Sequence, residues 1–503
     1  MVNQSQIATG SVVSSILRSA HLHFRVYIAF PKRRFSLFRK ISLSSIEKKW
    51  QYCQKNSVEL SFFAKKAYLC REKVAILPKN LRKVRIMQIK RNFYLQQLID
   101  GKQNGLIKIV TGIRRCGKSY LLFTLFKQYL IANGVLEDHI IQIALDDIEN
   151  TELREPLTLY RYIKAKMADS DLYYVLLDEV QLVPRFEEVL NSLLRIDNAD
   201  VYVTGSNSKF LSSDIITEFR GRGDEIHLYP LSFSEYSEGT GQAPMVAWKD
   251  YYTYGGLPHV LALDTEKKKL DYLTNLFESV YLIDILERHK IKNKAEFEEL
   301  VRIIASSIGA PTNPAKLSNT FKSVKKIGIS SVTIDRYLDY MQDAFLIEKA
   351  IRYDIKGKKY IGNLSKFYFS DLGIRNAILG LRQQEETHIM ENIIYNELRR
   401  RGCKVDVGMM EQRFVDANGK WQRKQLEVDF VVNEGSQRYY IQSALALPDE
   451  QKRQQEMASL LKINDSFKKI IIVKDDIKPW RDENGILTMG LIDFLMNPDS
   501  LVM

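Results

Sequence analysis

Leu106-Ile-Lys-Ile-Val-Thr-Gly-Ile-Arg-Arg-Cys-Gly-Lys-Ser119 is the stretch on which the reading of this chain turns. Its first six residues form a short, mostly apolar run of the kind that becomes a buried strand. The next eight, Gly112-Ile113-Arg114-Arg115-Cys116-Gly117-Lys118-Ser119, match GxxxxGK[ST] at every fixed position. Leu121, Leu122, Leu125, Phe126 and Tyr129 then recur at helical spacing. Strand, glycine loop and helix in that order are the context that turns such a pattern into a phosphate-binding loop. Gly112 and Gly117 let the backbone curl so that successive N–H groups face an anion at a helix N-terminus. Lys118 is expected on the β- and γ-phosphates and the Ser119 hydroxyl on Mg²⁺, which makes ATP and Mg²⁺ the expected ligands.

Sixty positions beyond Lys118, Leu172-Tyr-Tyr-Val-Leu-Leu-Asp178-Glu179 is an apolar run ending in two acids. Such a run suits a parallel strand covered on both faces. Asp178 at its carboxyl end is expected to hold Mg²⁺, with Glu179 orienting and deprotonating the attacking water. A third strand, Asp200-Val-Tyr-Val-Thr204, leads into Gly205-Ser-Asn207, where Asn207 can hydrogen-bond the γ-phosphate or its water. Glu218-Phe-Arg220-Gly-Arg222-Gly offers two guanidinium groups for transition-state charge, in cis or from a neighbouring subunit, with Arg222 singled out. A solvated loop is the alternative role for these arginines.

Together these residues resemble the AAA+-type ATPases. More narrowly, Gly112–Ser119, Leu177-Asp-Glu-Val-Gln181, Thr204-Gly-Ser-Asn-Ser208, Leu228-Tyr-Pro-Leu-Ser-Phe-Ser-Glu-Tyr236 and Tyr254-Gly-Gly-Leu-Pro258 are similar to a large prokaryotic family of predicted AAA-type ATP-binding proteins. In that family an N-terminal ATPase precedes a C-terminal domain of unknown function. The resemblance runs from about Met87 nearly to the end and implies the same roles for Lys118, Ser119, Asp178, Glu179 and Asn207.

The rest of the chain is read around this engine. At 503 residues the chain is too long for a single core, and 45% hydrophobic with 27% charged residues is ordinary globular composition. Residues 1–86 hold 18 Lys and Arg against three acids, a net of +15, whereas the remaining 417 carry 56 basic and 58 acidic groups. The basic leader 1–86 is therefore expected to lie outside the working fold, with Met87 as a natural start; a basic arm for nucleic acid or membrane surface is the alternative. No apolar run approaches the ~18 residues needed to cross a bilayer. Cys53, Cys70, Cys116 and Cys403 form no CxxC pair, and no HxxH spacing occurs, so a reducing cytoplasm fits and no zinc site is expected. Cys116 is assigned no redox role.

The expected fold is α/β: a doubly wound parallel-sheet P-loop domain over 87–240, a helical lid over 241–295, a winged helix over 296–384 and a small α/β nuclease-like domain over 385–503. The winged helix rests on three helical patterns, the third being Ser330-Ser-Val-Thr-Ile-Asp-Arg-Tyr-Leu-Asp-Tyr-Met341, and two strands around the basic turn Lys356-Gly-Lys-Lys359. Entry of that helix into a DNA groove is one reading. Only Arg336 stands out as basic on that helix, and Asp335 and Asp339 would face the same polyanion, which favours a packing module instead. The helix Met390–Arg399 and the strands and helix after it resemble the PD-(D/E)xK nuclease fold. Glu391 and Asp429 match its first two acids, but Gln442-Ser443-Ala444 replaces E-x-K. An amide ligates Mg²⁺ poorly and alanine activates no water, so no nuclease activity is expected. The leading expectation is a Mg²⁺-dependent ATPase or nucleotide-gated switch whose C-terminal domains bind a nucleic acid or protein partner, with room for assembly into an oligomer. A DNA-binding regulator gated by ATP is the alternative, and a metal-dependent nuclease a weaker one.

Overall fold

The computed structural model describes residues 89–503 apart from 206–220, 327, 383–384 and 416–418. All belong to one compact unit, Ile86–Met503. The basic leader, Asn207 and Arg220 lie outside the described residues.

Five strands, β1 (Ile107–Thr111), β2 (Ile140–Ala144), β3 (Tyr173–Asp178), β4 (Ala199–Thr204) and β5 (Gly223–His227), form an all-parallel sheet in the order β2-β3-β4-β1-β5. Every residue of β1 and β3 is buried, because alternate side chains feed opposite faces. Ile107, Ile109, Val175, Leu177, Val201 and Val203 pack under the helices Pro156–Lys166 and Phe186–Leu193. Val110, Tyr174, Leu176 and Tyr202 pack with Leu121, Leu122, Leu125 and Phe126 of the helical run Lys118–Ala132 on the other face. This is the doubly wound α/β domain read from the sequence. Since all five strands point the same way, the ends of β1, β3 and β4 open on one crevice, where open α/β sheets bind ligands.

Helices Pro244–Tyr254, Glu266–Leu276 and Phe277–Arg288 follow, then Lys294–Ser306, Pro314–Thr320 and Ser331–Asp343. Ser330 caps the last through Thr333 N–H at 3.0 Å, as its sequence predicts. The hairpin of β6 (Ile347–Asp354) and β7 (Lys359–Phe369) follows these helices, at the place of the expected wing. One sheet runs across the expected boundary at 384/385. β8 (Lys404–Val415), β9 (Trp421–Glu434), β10 (Gln437–Ala444), β11 (Lys468–Val473), β12 (Trp480–Arg481) and β13 (Leu487–Gly490) join the wing in one eight-stranded sheet, ordered β12-β13-β11-β10-β9-β8-β6-β7. Parallel pairing of Arg352–Asp354 with Val407–Met409 makes the junction. A pairing between strands fifty residues apart leaves no local sequence signal, which is why the wing and the C-terminal strands read as separate domains.

Candidate nucleotide site and the cluster behind it

Gly112 has φ 135°, and a β-carbon there would stand 2.2 Å from the Leu228 carbonyl oxygen. Only glycine fits so close an approach in that conformation. Gly117, at φ 102°, caps the helix that Lys118 begins. The Lys118 ammonium is buried and donates to the carbonyls of Gly112 at 2.9 Å and Ile113 at 3.2 Å, so its charge sits inside the curl of its own loop. Ile113 and Cys116 are buried in the core, which leaves only their backbones to face a ligand. Burial raises the Cys116 thiol, so it stays protonated and inert. Arg114 reaches Asp284 at 2.8 Å while its carbonyl accepts from the Tyr281 hydroxyl at 2.6 Å. The loop is thereby fastened to the helix Phe277–Arg288.

Asp178 ends β3 and is buried. Burial pushes its carboxyl up, and hydrogen bonds from Thr204 and Ser119 oppose that shift. A buried carboxylate touching the serine of the phosphate loop is a donor set that fits a small divalent cation. Thr204 hydroxyl donates to Asp178 and accepts from Glu179 N–H at 3.0 Å. Glu179 itself sits in the left-handed region at φ 53°, with its carboxylate bonded to the Gln181 amide. Lys118, Ser119, Asp178 and Glu179 therefore gather at the carboxyl ends of β1 and β3, as the motifs imply.

Arg222 does not join them. It immediately precedes β5, whose first residue pairs with the first of β1, and its side chain meets Asn191 at 3.1 Å. A parallel strand of five residues separates the two ends of the sheet by about 16 Å. Arg222 thus lies at the end opposite the phosphate loop, and a role in cis is corrected.

Thr204 and His227 belong to the site but were missed in the sequence. A polar residue closing an apolar strand between the two motifs was the available signal for Thr204. His227 ends β5 with Nδ1 3.0 Å from the Thr111 hydroxyl. Its ring lies 4.6 Å from Tyr229 and 4.9 Å from Phe345, which precedes β6. Burial lowers it to about 4, so it is neutral at neutral pH. Tyr254-Gly-Gly-Leu-Pro258 also acquires a partner. The Asp371 carboxylate accepts from Gly256 N–H at 2.8 Å and Ile374 N–H at 3.0 Å, and a β-carbon on Gly373 would stand 2.0 Å from the Tyr254 carbonyl oxygen.

In the C-terminal sheet the structure does bring Glu391 and Asp429 together, and adds three residues missed in the sequence, Lys366, Glu427 and Tyr368. Lys366, on β7 and 3% exposed, places its ammonium 2.8 Å from Glu391, 2.7 Å from Glu427 and 3.9 Å from Asp429. Tyr368 hydroxyl donates to Glu391 at 2.6 Å and Ser443 N–H to Asp429 at 2.8 Å. Burial alone would raise Glu391, but the Lys366 ammonium beside it holds its carboxyl low. Asp429, buried beside Glu391, is pushed up to about 7. A divalent ion, implied by the fold resemblance, does not fit this set: the chain's own ammonium already bonds two of the carboxylates, and Gln442 presents an amide.

Residues 104–237 match the AAA domain family and residues 245–385 a domain of unknown function. An uncharacterized protein of Haemophilus influenzae is 33% identical over 414 residues, 81% of this chain and 98% of its own length. A second, from Methanocaldococcus jannaschii, is 29% identical over 391 residues, 74% of this chain and 82% of its own length. Among solved structures, the Aeropyrum pernix ORC2 protein aligns with 60% of this chain and 95% of its own at 12% identity and a TM-score of 0.31, too slight a likeness to carry an argument. Identity at this level along the whole relative, with an AAA domain leading and a domain of unknown function behind it, settles the grouping: the chain belongs to the family of AAA-domain proteins that carry an N-terminal P-loop ATPase domain and a C-terminal domain of unknown function.

Proposed function

We propose that this protein hydrolyses ATP in a Mg²⁺-dependent cycle and that its C-terminal sheet binds a partner under control of that cycle. The observation that carries the reading is the meeting of Lys118, Ser119 and Asp178 at the ends of two parallel strands. The loop N–H groups would bind the phosphates while Lys118 exchanges the carbonyls of Gly112 and Ile113 for phosphate oxygens. Ser119 and Asp178 would hold Mg²⁺, which when bound neutralises charge on the phosphates. Glu179 would orient the attacking water and take its proton, with Asn207 beside the γ-phosphate. Arg222 would serve only across a subunit boundary, which makes oligomerisation part of the reading.

The segment 241–295 transmits nucleotide state through the Arg114–Asp284 pair and the Tyr281 hydroxyl. Residues 296–503 act as a binding scaffold without nuclease activity, since Gln442 and Ala444 stand where E-x-K would supply a carboxylate and a lysine, and the Lys366 ammonium already bonds Glu391 and Glu427.

Steady-state turnover tests the enzyme claim. Lys118→Ala should lose binding and hydrolysis together. Glu179→Gln should lose about 100-fold or more in turnover while still binding ATP, the size expected for removing a general base. Equal turnover in wild type and both variants would refute the reading.

A further inference from the structure

Beyond Met409, where pairing with β6 ends, β8 and β9 run on together as an arm of paired residues from Met410–Leu426 to Val415–Trp421. Directly opposite residues of an antiparallel pair share a face. On one face of the arm stand Arg413 opposite Arg423, with Val415 opposite Trp421 beyond them and Glu411 opposite Gln425 behind. Both guanidinium groups reach the same carboxylate, Glu411, at 3.3 and 3.5 Å. Their side chains are 67% and 69% exposed, and Trp421 is 74% exposed. Like charges placed opposite one another destabilise a hairpin, and one shared glutamate offsets only part of that repulsion. An exposed indole adds a second liability for a lone arm. Both disappear if an anionic partner with flat rings lies on this face.

The register places a further cationic group beside it. Asp354 pairs with Met409, so the turn that follows β6 stands at the base of the arm. That turn is Lys356-Gly-Lys-Lys359, exposed throughout. Lys424, on the arm's other face, is exposed as well.

We propose that the β8–β9 arm and the β6–β7 turn form a docking surface for single-stranded nucleic acid. Arg413, Arg423 and the turn lysines contact phosphates, and a base stacks on Trp421. Charge alone would suit a duplex equally well. The ring decides between them, because an indole standing clear of the protein needs an unpaired base face, and a duplex keeps its base faces stacked inside. The inference gives a chemical identity to the partner in the proposed function and rests on that reading only for its coupling to ATP.

Fluorescence anisotropy of a labelled oligo-dT strand with the full chain, without nucleotide, tests the surface apart from the ATPase. Wild type should bind saturably and weaken as salt rises. Arg413→Glu with Arg423→Glu should weaken binding about 10-fold or more and lower the salt slope by about 1.4. Trp421→Ala should weaken it about 10-fold. Both variants should keep ATP turnover, and Arg413→Gln with Arg423→Gln, which removes the like-charge pair without creating another, should weaken binding with no fall in melting midpoint, since the positions are exposed. Absence of oligo-dT binding by folded wild type would overturn the proposal, as would equal affinity in all variants. Tighter binding of the matching duplex, or capture of anionic phosphatidylserine vesicles in place of the oligonucleotide, would reassign the face. Turnover lost in Lys118→Ala with oligo-dT binding kept would separate the two claims.

Discussion

Lys366 shows how much a single buried charge can hold. Its ammonium is bonded to Glu391 and Glu427 and lies 3% exposed, so removing it leaves carboxylates buried without a counter-charge. Breaking such a pair by deleting one partner costs about 3–5 kcal/mol. Lys366→Met should therefore lower the melting midpoint sharply, and adding Glu391→Gln should recover part of the loss. Millimolar Mn²⁺ should raise the midpoint of Lys366→Met and leave wild type unmoved; a wild-type response would mean the cluster takes a metal as it stands. His227 gives a pH signature. Burial holds it at about 4, below the 6.5 of an exposed imidazole. The folded state then binds fewer protons than the unfolded state between those values, so stability is complete above pH 6.5 and is lost as pH falls toward 4. Between pH 7 and pH 5 wild type should lose about 2 kcal/mol more than His227→Gln, as urea midpoints at the two pH values would show.

At the level of elements, the phosphate loop is governed from outside itself. Its arginine and its carbonyl are both held by the helix Phe277–Arg288. Asp284 serves Arg114 and Arg288 together, with about a fifth of its side chain exposed. Asp284→Ala should release the loop from the helix at a stability cost of about 1 kcal/mol. Nucleotide affinity should fall several-fold, and an isothermal titration that found no change would detach the helix from the loop's function. The Ser330 cap of the helix Ser331–Asp343 was legible in the sequence, because a cap is a local device. The full length of β8 and β9 was not. Their outer halves are polar and exposed, so the alternation that marks a half-buried strand fades there.

Over the whole molecule, one apolar core runs from Tyr94 and Leu122 through Leu273 and Phe297 to Tyr395 and Phe494. The ATPase sheet and the C-terminal sheet share it, so residues 89–503 should unfold in a single calorimetric transition. Gly373 tests the joint between the helical segment 241–295 and the residues that follow β7. A methyl group there would meet the Tyr254 carbonyl, displacing Asp371 from Gly256. Gly373→Ala should shift the transition down by several degrees, and an unchanged transition would show that Asp371 does not fasten the segment 241–295 to the residues after β7.

From sequence alone came the parallel-sheet domain, the phosphate loop, the acid pair at the end of β3 and the departure from E-x-K at Gln442 and Ala444. The motifs are each written within about a dozen consecutive residues, where spacing and side-chain chemistry are enough, and the sheet follows from the strand patterns that lead into them. Only the tertiary structure decided that Arg222 stands at the far end of its sheet, that the wing and the C-terminal strands are one sheet, and that Lys366 enters the acid cluster. These depend on strand order and register between segments far apart in the chain, and pairing energy between such segments is carried by backbone groups that every residue type possesses.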